Sequence, residues 1–255
     1  MIFRSSDRPP EGISRREWRR RNIQTTPPAT AASTSDAAPA PAPVAPVPAP
    51  QTSPLDGDDT RPTILTVCTG NICRSPMAEV LLRARLEPLG VRVHSAGTHA
   101  LVDHAMTEPA QEIAIELGAG ADAAAAHRAR YLVEPMLKDA DLVLTMAREH
   151  RSHAVQLMPS ALKRTFTLRE FARLASTLST EDAKAAADAA GEDPRDRLRA
   201  VALAVTQQRG FSPAVPDEND IIDPYRRSRE TYELSASQLA PAIDDVERIV
   251  RAALA

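Results

Sequence analysis

Between residues 61 and 255, apolar and polar positions follow two periods that alternate along the chain. Thr63 to Val67, "TILTV", is a short apolar run rich in β-branched residues, the pattern of a strand buried on both faces of a parallel sheet. After it Ser75 reads as an N-cap and Pro76 as the first helical residue, and "MAEVLLRARLEPLG" keeps helical spacing up to Gly90. "VRVHSAG" reads as a second strand, "TEPAQEIAIELGAG" as a helix, "VEPMLKDA" as a short helix and "DLVLTM" as a third strand. "AREHRSHAVQL" is helical up to Pro159, "RTFTL" is a fourth strand and "REFARLAST" a helix. Strand and helix alternating over short links predict a doubly wound α/β fold, a four-stranded parallel sheet flanked by helices. Such sheets receive ligands at the carboxyl ends of their strands.

Two later stretches depart from this rhythm. Residues 176–220 read as an insert, in which Asp193 and Pro194 start a helix and Gly210 ends it. Leu198, Val201, Ala202 and Val205 give that helix one apolar stripe. The rest of the insert is Ala-rich and acidic and reads as loop. At the far end Tyr232, Ala236, Leu239, Ile243, Val246 and Val250 recur every three or four residues. They predict a long amphipathic helix on the sheet, kinked before Pro241.

Composition changes the picture mainly before Arg61. Proline outnumbers glycine 22 to 9, and much of it lies in "TPPATAASTSDAAPAPAPVAPVPAPQTSP". That stretch has no apolar period with which to offset its ordering entropy. The expected organisation is a disordered arm over 1–60, basic and then Ala/Pro-rich, followed by a folded domain over 61–255. The arm opens with Arg4, Arg8, Arg15, Arg16, Arg19, Arg20 and Arg21 around Trp18. Two readings stay open: a solvated arm, or a tether for an acidic partner or an anionic membrane surface. A net charge of −3 excludes a globally basic nucleic-acid binder. "SRREW" has the twin arginines of an export signal but no apolar segment after it, and no stretch is long and apolar enough for a membrane span. A cytoplasmic protein is expected, in which thiols serve catalysis, redox chemistry or packing.

The chain has only two cysteines, and both lie in "VCTGNICRSP". Cys68 ends the first strand, and a short loop delivers Arg74 and Ser75 to a helix mouth. Amides and dipole there attract an anion and favour a thiolate at Cys68. Arg74 can hold two phosphate oxygens in a planar fork. Gly70 lets the backbone approach closely, Asn71 tolerates the left-handed conformation of a tight cradle, and the Ser75 hydroxyl can serve the thiolate. The loop lacks the Gly-Lys-Ser/Thr ending of a nucleotide-binding loop. Metal binding is not expected either, since the Cys68–Cys73 spacing is unusual for zinc and no second cysteine pair exists.

"VCTGNICRSPMAE" resembles the loop of the low-molecular-weight protein tyrosine phosphatases, which thioredoxin-coupled arsenate reductases share. "HSAGT", "HRAR", "DLVLTM" and "DPY" follow in the family's order, and the resemblance spans 61–255 apart from the insert. It implies metal-free, cofactor-free hydrolysis of phosphotyrosine in proteins through a phosphocysteine on Cys68. Arg74 and the amides of Thr69, Gly70, Asn71, Ile72, Cys73, Arg74 and Ser75 would bind phosphate, and Asp223 would serve as acid and then base. The same resemblance implies that Ser95 supports Asn71 and that Ile72 and Tyr225 line the substrate slot. Taken alone, the Asp-Pro pair at 223 is also a common turn or helix start. The implied partners are tyrosine-phosphorylated proteins, bacterial tyrosine kinases among them.

Alternatives are hydrolysis of phosphoarginine or small aryl phosphates, arsenate reduction, or a phosphate-binding scaffold without turnover. The phosphoarginine branch carries threonine where this chain has Ile72, and the reductases need a third thiol. Cys73 is expected to guard Cys68 through a reversible disulfide. The family's aromatic residue after "SAGT" is missing here, with His99, His104 or Met106 as candidate substitutes.

Overall fold

Four short apolar runs pair into a single parallel sheet in a computed structural model that describes residues 60–213 and 216–255. The strands are β1 (Thr63–Cys68), β2 (Arg92–Gly97), β3 (Leu142–Thr145) and β4 (Thr165–Thr167), in the order β2-β1-β3-β4. Register is continuous, from Thr63 beside Arg92 to Cys68 beside Gly97 on one side of β1 and from Ile64 beside Leu142 to Val67 beside Thr145 on the other. The helices are α1 (Arg74–Leu86), α2 (Glu108–Glu116), α3 (Ala121–Ala126), α4 (Glu134–Asp139) and α5 (Arg148–Leu157), then α6 (Leu168–Ala175), α7 (Thr180–Asp188), α8 (Pro194–Gln207) and α9 (Arg229–Leu254).

The strands are buried on both sides, as their near-continuous apolar sequences require. Ile64, Leu142, Leu144 and Phe166 face the larger core with α1, α6, α8 and α9, while Leu65, Val67 and Val143 face a smaller one with Met136 and Leu137 of α4 and Ala154 of α5. Alternation along β1 puts Cys68 on the same side as Ile64, next to α1. After β1 the chain turns to β2, and later crosses back to β3 on the opposite flank. The carboxyl ends of β1 and β3 therefore form the switch point of the sheet.

Several boundaries differ from the sequence reading. Ser75 is not an N-cap, because α1 begins at Arg74, two residues before the expected Pro76, and Cys73 occupies the cap position without a side-chain capping bond. The Ser75 hydroxyl is engaged by Cys68 and Asn71 instead. Alpha-helical geometry stops at Leu86, and a 3-10 turn (Glu87–Leu89) leads to Gly90, whose φ of 80° reverses the chain. The region read as Ala-rich loop contains α7. Ser179 caps that helix by accepting from the Asp182 amide, and Ala183 and Ala187 are buried, so alanine here is an interface residue small enough for close helix packing. The periodicity also passed over α3. In α8 Asp193 accepts from the amides of Arg195 and Asp196, and Leu198, Val201, Ala202 and Val205 are buried together. The terminal helix is continuous from Arg229 to Leu254 with Pro241 inside it. The arm expected over 1–60 lies outside the described residues except for its last position.

The insert is fastened to the sheet by charge. Asp141, fully buried before β3, accepts from the Thr63 amide at 2.9 Å and faces Arg195 at 3.0 Å and Arg199 at 2.7 Å, both from α8. Asp141→Ala is expected to lower unfolding stability by about 3 kcal/mol, the low end for a broken buried pair because both arginines keep some access to water. Urea unfolding measures this, and an unchanged midpoint would show that the clamp contributes nothing.

Candidate active site

The loop between β1 and α1 is held from outside by its carbonyl groups. Cys68 O accepts from Thr98 N, Thr69 O from His99 N, Gly70 O from Leu101 N and Ile72 O from Thr107 N, at 2.9 to 3.0 Å. Asn71 O accepts from His127 Nε2 at 2.8 Å. In a planar trans peptide the N–H points opposite to the C=O. The amides of residues 69 to 73 are therefore turned away from these partners, toward the concave side that ends at the mouth of α1. Such a row of amides attracts an anion.

Asn71 carries the left-handed residue of the turn, with φ 56°. Every polar atom it has is engaged. Its amide donates to Cys68 Sγ at 3.3 Å, and its side-chain nitrogen donates to Ser75 Oγ at 3.0 Å and Ser95 Oγ at 2.7 Å. Its Oδ1 accepts from Arg130 N at 2.9 Å. Ser75 Oγ receives from Asn71, so its own proton has two acceptors, Cys68 Sγ at 3.0 Å and Ala96 O at 3.5 Å. At the shorter of these contacts the hydroxyl joins the Asn71 amide in facing the sulfur. Ser95 passes the chain on to Glu79 Oε2, which also lies 3.4 Å from His127 Nδ1. Burial alone would raise Glu79, but bonds from His127 and Ser95 and the nearby positive charge outweigh it and hold its carboxyl below the usual range.

Arg74 leaves the first turn of α1 toward the loop ahead of α9. Its Nη1 donates to Ile221 O at 3.1 Å, and its Nη2 lies 2.8 Å from Asp223 Oδ2 and 3.5 Å from Thr69 Oγ1. Asp223 itself is half exposed, which leaves it open to a ligand. Tyr225 donates its amide to Asp223 Oδ1, and its ring lies under the guanidinium of Arg226, 5.1 Å from centroid to cation. His150 of α5, 1% exposed, reaches Thr69 Oγ1 with Nε2 at 2.8 Å. Burial and the charge of Arg74 push its pKa down to about 3, so the ring is neutral.

The structure thus joins Cys68, Asn71, Ser75 and Ser95 in one network and Thr69, Arg74 and Asp223 in a second, both built on the loop after β1. Ile72 is only 5% exposed and packs mainly into the larger core, so it offers a slot little surface. Cys73 is buried beside Thr107 Oγ1 and Tyr232 Oη, and burial pushes its thiol up. Both cysteines are free thiols. Of the candidate slot residues after "SAGT", Met106 is buried and His104 bonds back to Val102 O, whereas His99 sits edge-on to His153 at 5.9 Å.

Residues 63–189 match the family model described as low molecular weight phosphotyrosine protein phosphatase. The chain is 40% identical over 105 residues to the low molecular weight protein-tyrosine-phosphatase Ptp of Acinetobacter johnsonii, covering 41% of this chain and 70% of that protein. It belongs to the low-molecular-weight phosphotyrosine protein phosphatase family. Etp of Escherichia coli K12, another low molecular weight protein-tyrosine-phosphatase, is 42% identical over 103 residues, 40% of this chain; the chain spans 66% of Etp's length. Among solved structures, the YwlE arginine phosphatase from Geobacillus stearothermophilus superposes with a TM-score of 0.50 at 29% identity, covering 72% of this chain and 90% of that one.

Three residues of this family member gained no role from sequence alone: Glu79, Gly97 and His150. Gly97 carries the clearest signal, as the last residue of a strand. A Cβ there would stand 2.5 Å from Thr69 O and 3.0 Å from Asn71 Cβ, so only glycine lets β2 lie against the loop. Gly97→Ala is expected to displace the loop and to cut inorganic-phosphate affinity together with thermal stability; a variant with native values for both would refute this contact. The depressed Glu79 carboxyl sets the acid behaviour. Its stabilisation is complete above the unfolded value near 4.5 and is lost as pH falls through the lower folded value. Urea titrations between pH 6 and pH 3 should show a drop in stability that Glu79→Gln flattens.

Proposed function

We propose that this chain hydrolyses phosphotyrosine in proteins through a phosphocysteine intermediate, without a metal or cofactor. One observation carries the reading: Cys68 Sγ faces the Asn71 amide and Ser75 hydroxyl at a helix mouth, while Arg74 pairs with Asp223 at 2.8 Å in the same concavity. Nucleophile and sulfur-facing donors thus form one hydrogen-bonded set, clamp and acid a second, and the short loop from Cys68 to Arg74 carries both.

In the first step Cys68 Sγ attacks phosphorus and the bond to the aryl oxygen breaks, with the carboxylic proton of Asp223 passing to the leaving oxygen. Arg74 and the inward amides hold the equatorial oxygens through the transition state. In the second, water attacks the phosphocysteine and gives its proton to Asp223. The S–P bond breaks and phosphate leaves. Tyr225 flanks the slot, and Arg226 and Arg227 beside it favour acidic sequence around the phosphotyrosine. Substrates are tyrosine-phosphorylated proteins of the cytoplasm, a bacterial tyrosine kinase among the candidates. Among the described residues, no helix is long and apolar enough to cross a membrane.

Phosphoarginine is the second reading, favoured by the similarity to the YwlE arginine phosphatase. Against it, Ile72 has no hydroxyl for a guanidinium. Arsenate reduction lacks its third thiol. The guarding disulfide at Cys73 belongs to this proposal, since a protonated, buried thiol beside the nucleophile is held in reserve until Cys68 is oxidised.

Turnover of p-nitrophenyl phosphate and of matched phosphotyrosine and phosphoarginine peptides tests the assignment. Cys68→Ser is expected to abolish turnover and Asp223→Ala to lower kcat on the order of 10²- to 10⁴-fold. Faster cleavage of the phosphoarginine peptide would replace phosphotyrosine as the substrate, and no turnover by the unmutated protein would leave a binding scaffold.

A further inference from the structure

Thr69 follows Cys68 at the carboxyl end of β1, and His150 lies in the first turn of α5 after β3. They meet across the switch point of the sheet, with Thr69 Oγ1 2.8 Å from His150 Nε2. A threonine oxygen has two lone pairs and one proton, so its partners dictate where the proton points. Arg74 Nη2, at 3.5 Å, can only donate to it. The role of His150 follows from its other ring nitrogen, Nδ1, which is buried with no hydrogen-bond partner among the described residues. An orphaned N–H there would cost more than a bare lone pair, so the one proton of the neutral ring belongs on Nε2, where Thr69 Oγ1 accepts it. Both lone pairs of Thr69 are therefore occupied, one by Arg74 and one by His150. The hydroxyl proton must point away from both, and the concave face of the loop is the polar direction that remains.

We propose that the Thr69 hydroxyl is a side-chain donor to the bound phosphoryl group, and that His150 is the positioning residue that aims it. The inference rests on the phosphatase reading for the identity of the substrate, while its core is the binding of a tetrahedral oxyanion. Backbone amides and the Arg74 fork supply most of the cradle. Thr69 adds a donor on the side of β3, opposite the wall of residues 98–101. A neutral imidazole suits this work, because it holds the hydroxyl without placing a second cation against Arg74 inside the site. A histidine serving only to fill space would leave phosphate affinity unchanged once the protein was folded.

The test uses the full chain with inorganic phosphate as probe. Dissociation constants come from calorimetry on a Cys68→Ser background, and steady-state kinetics on p-nitrophenyl phosphate come from the unmutated cysteine. Thr69→Val keeps the volume and removes the donor; it should weaken phosphate binding about tenfold, the usual worth of a hydrogen bond to a charged group, and lower kcat/KM at least as much. His150→Leu should give the same loss, and the double variant should lose no more than either single one. Thr69→Ser and His150→Gln, which retain the hydroxyl and its donor, should bind phosphate within about twofold of the parent, the experimental scatter of a modest hydrogen-bond change.

Native phosphate affinity in Thr69→Val, or strictly additive losses in the double variant, would overturn the proposal. Should His150→Leu prove too unstable to assay, the Thr69→Val and His150→Gln results decide alone. Phosphate binding that depends on Thr69 without any aryl phosphate turnover would remove the phosphatase reading and leave this assignment standing. Absence of phosphate binding by the parent chain would remove both.

Discussion

The outward tethering of the loop carbonyls is the constraint on which the rest of the molecule turns. A row of amides converging on one point is electrostatically unfavourable when empty, and it persists only where the opposite ends of the peptides are fixed. Here residues 98–107 and His127 provide that fixing through Thr98, His99, Leu101, Thr107 and the imidazole. The segment after β2 is thus a brace for the loop after β1, and the close contact at Gly97 is what lets it brace at this distance. The sheet supplies the rigid base, since Cys68 and Gly97 are register partners in adjacent strands.

Asn71 adds the second constraint, a left-handed turn in a residue that is not glycine. That conformation costs energy on its own. The cost is offset locally by bonds at each of its polar atoms, and through Ser95 the network reaches Glu79 in α1. Burying a carboxylate is acceptable here because hydroxyl and imidazole groups surround it. The loop is consequently held from three sides, by the brace after β2, by α1 and by the segment at Arg130. Preorganisation of this sort is what oxyanion stabilisation requires, since donors that are already aligned need no reorganisation as charge develops.

Much of this was legible in the sequence, for identifiable reasons. Strands such as "TILTV" and "DLVLTM" are apolar on both faces because helices cover both faces, so they stand out from their surroundings. The loop was legible because its residues are local in sequence, with the thiol, the arginine and the left-handed turn residue within one short run. The cap lies two residues before Ser75, because a serine before a proline suits a cap equally well in sequence; only the tertiary pull of Asn71 and Cys68 shows where its hydroxyl goes. The helix at Thr180–Asp188 was missed because its buried face is alanine, which carries almost no hydrophobic contrast against its exposed alanines. Glu79 and His150 were invisible as site residues because each acts on the loop through a contact distant in sequence. Ile72 divides its side chain between two surroundings, most of it in the core and a 5% exposed remainder at the loop, a split that an apolar residue in a loop does not announce.

The backbone anchor at Ile221 bears on how such a domain can be lengthened. Ile221 donates its amide to Met146 O and accepts from Arg74, while Asp220 is clasped by Arg148 through both carboxylate oxygens. Asp223 is thereby positioned by neighbours immediately before it and by the sheet edge, independently of the path by which the chain arrives. Whatever lies between β4 and this anchor is a closed excursion whose two ends are already fixed. The entropic cost of extending such an excursion rises only as the logarithm of its length, about 0.6 kcal/mol for each doubling. The helices α7 and α8 work against that cost by burying Ala183 and Ala187 and the Leu198, Val201, Ala202 and Val205 stripe. The segment that carries Asp223 is thus insulated from its upstream history, and the fold can acquire new surface there without moving the Arg74–Asp223 pair.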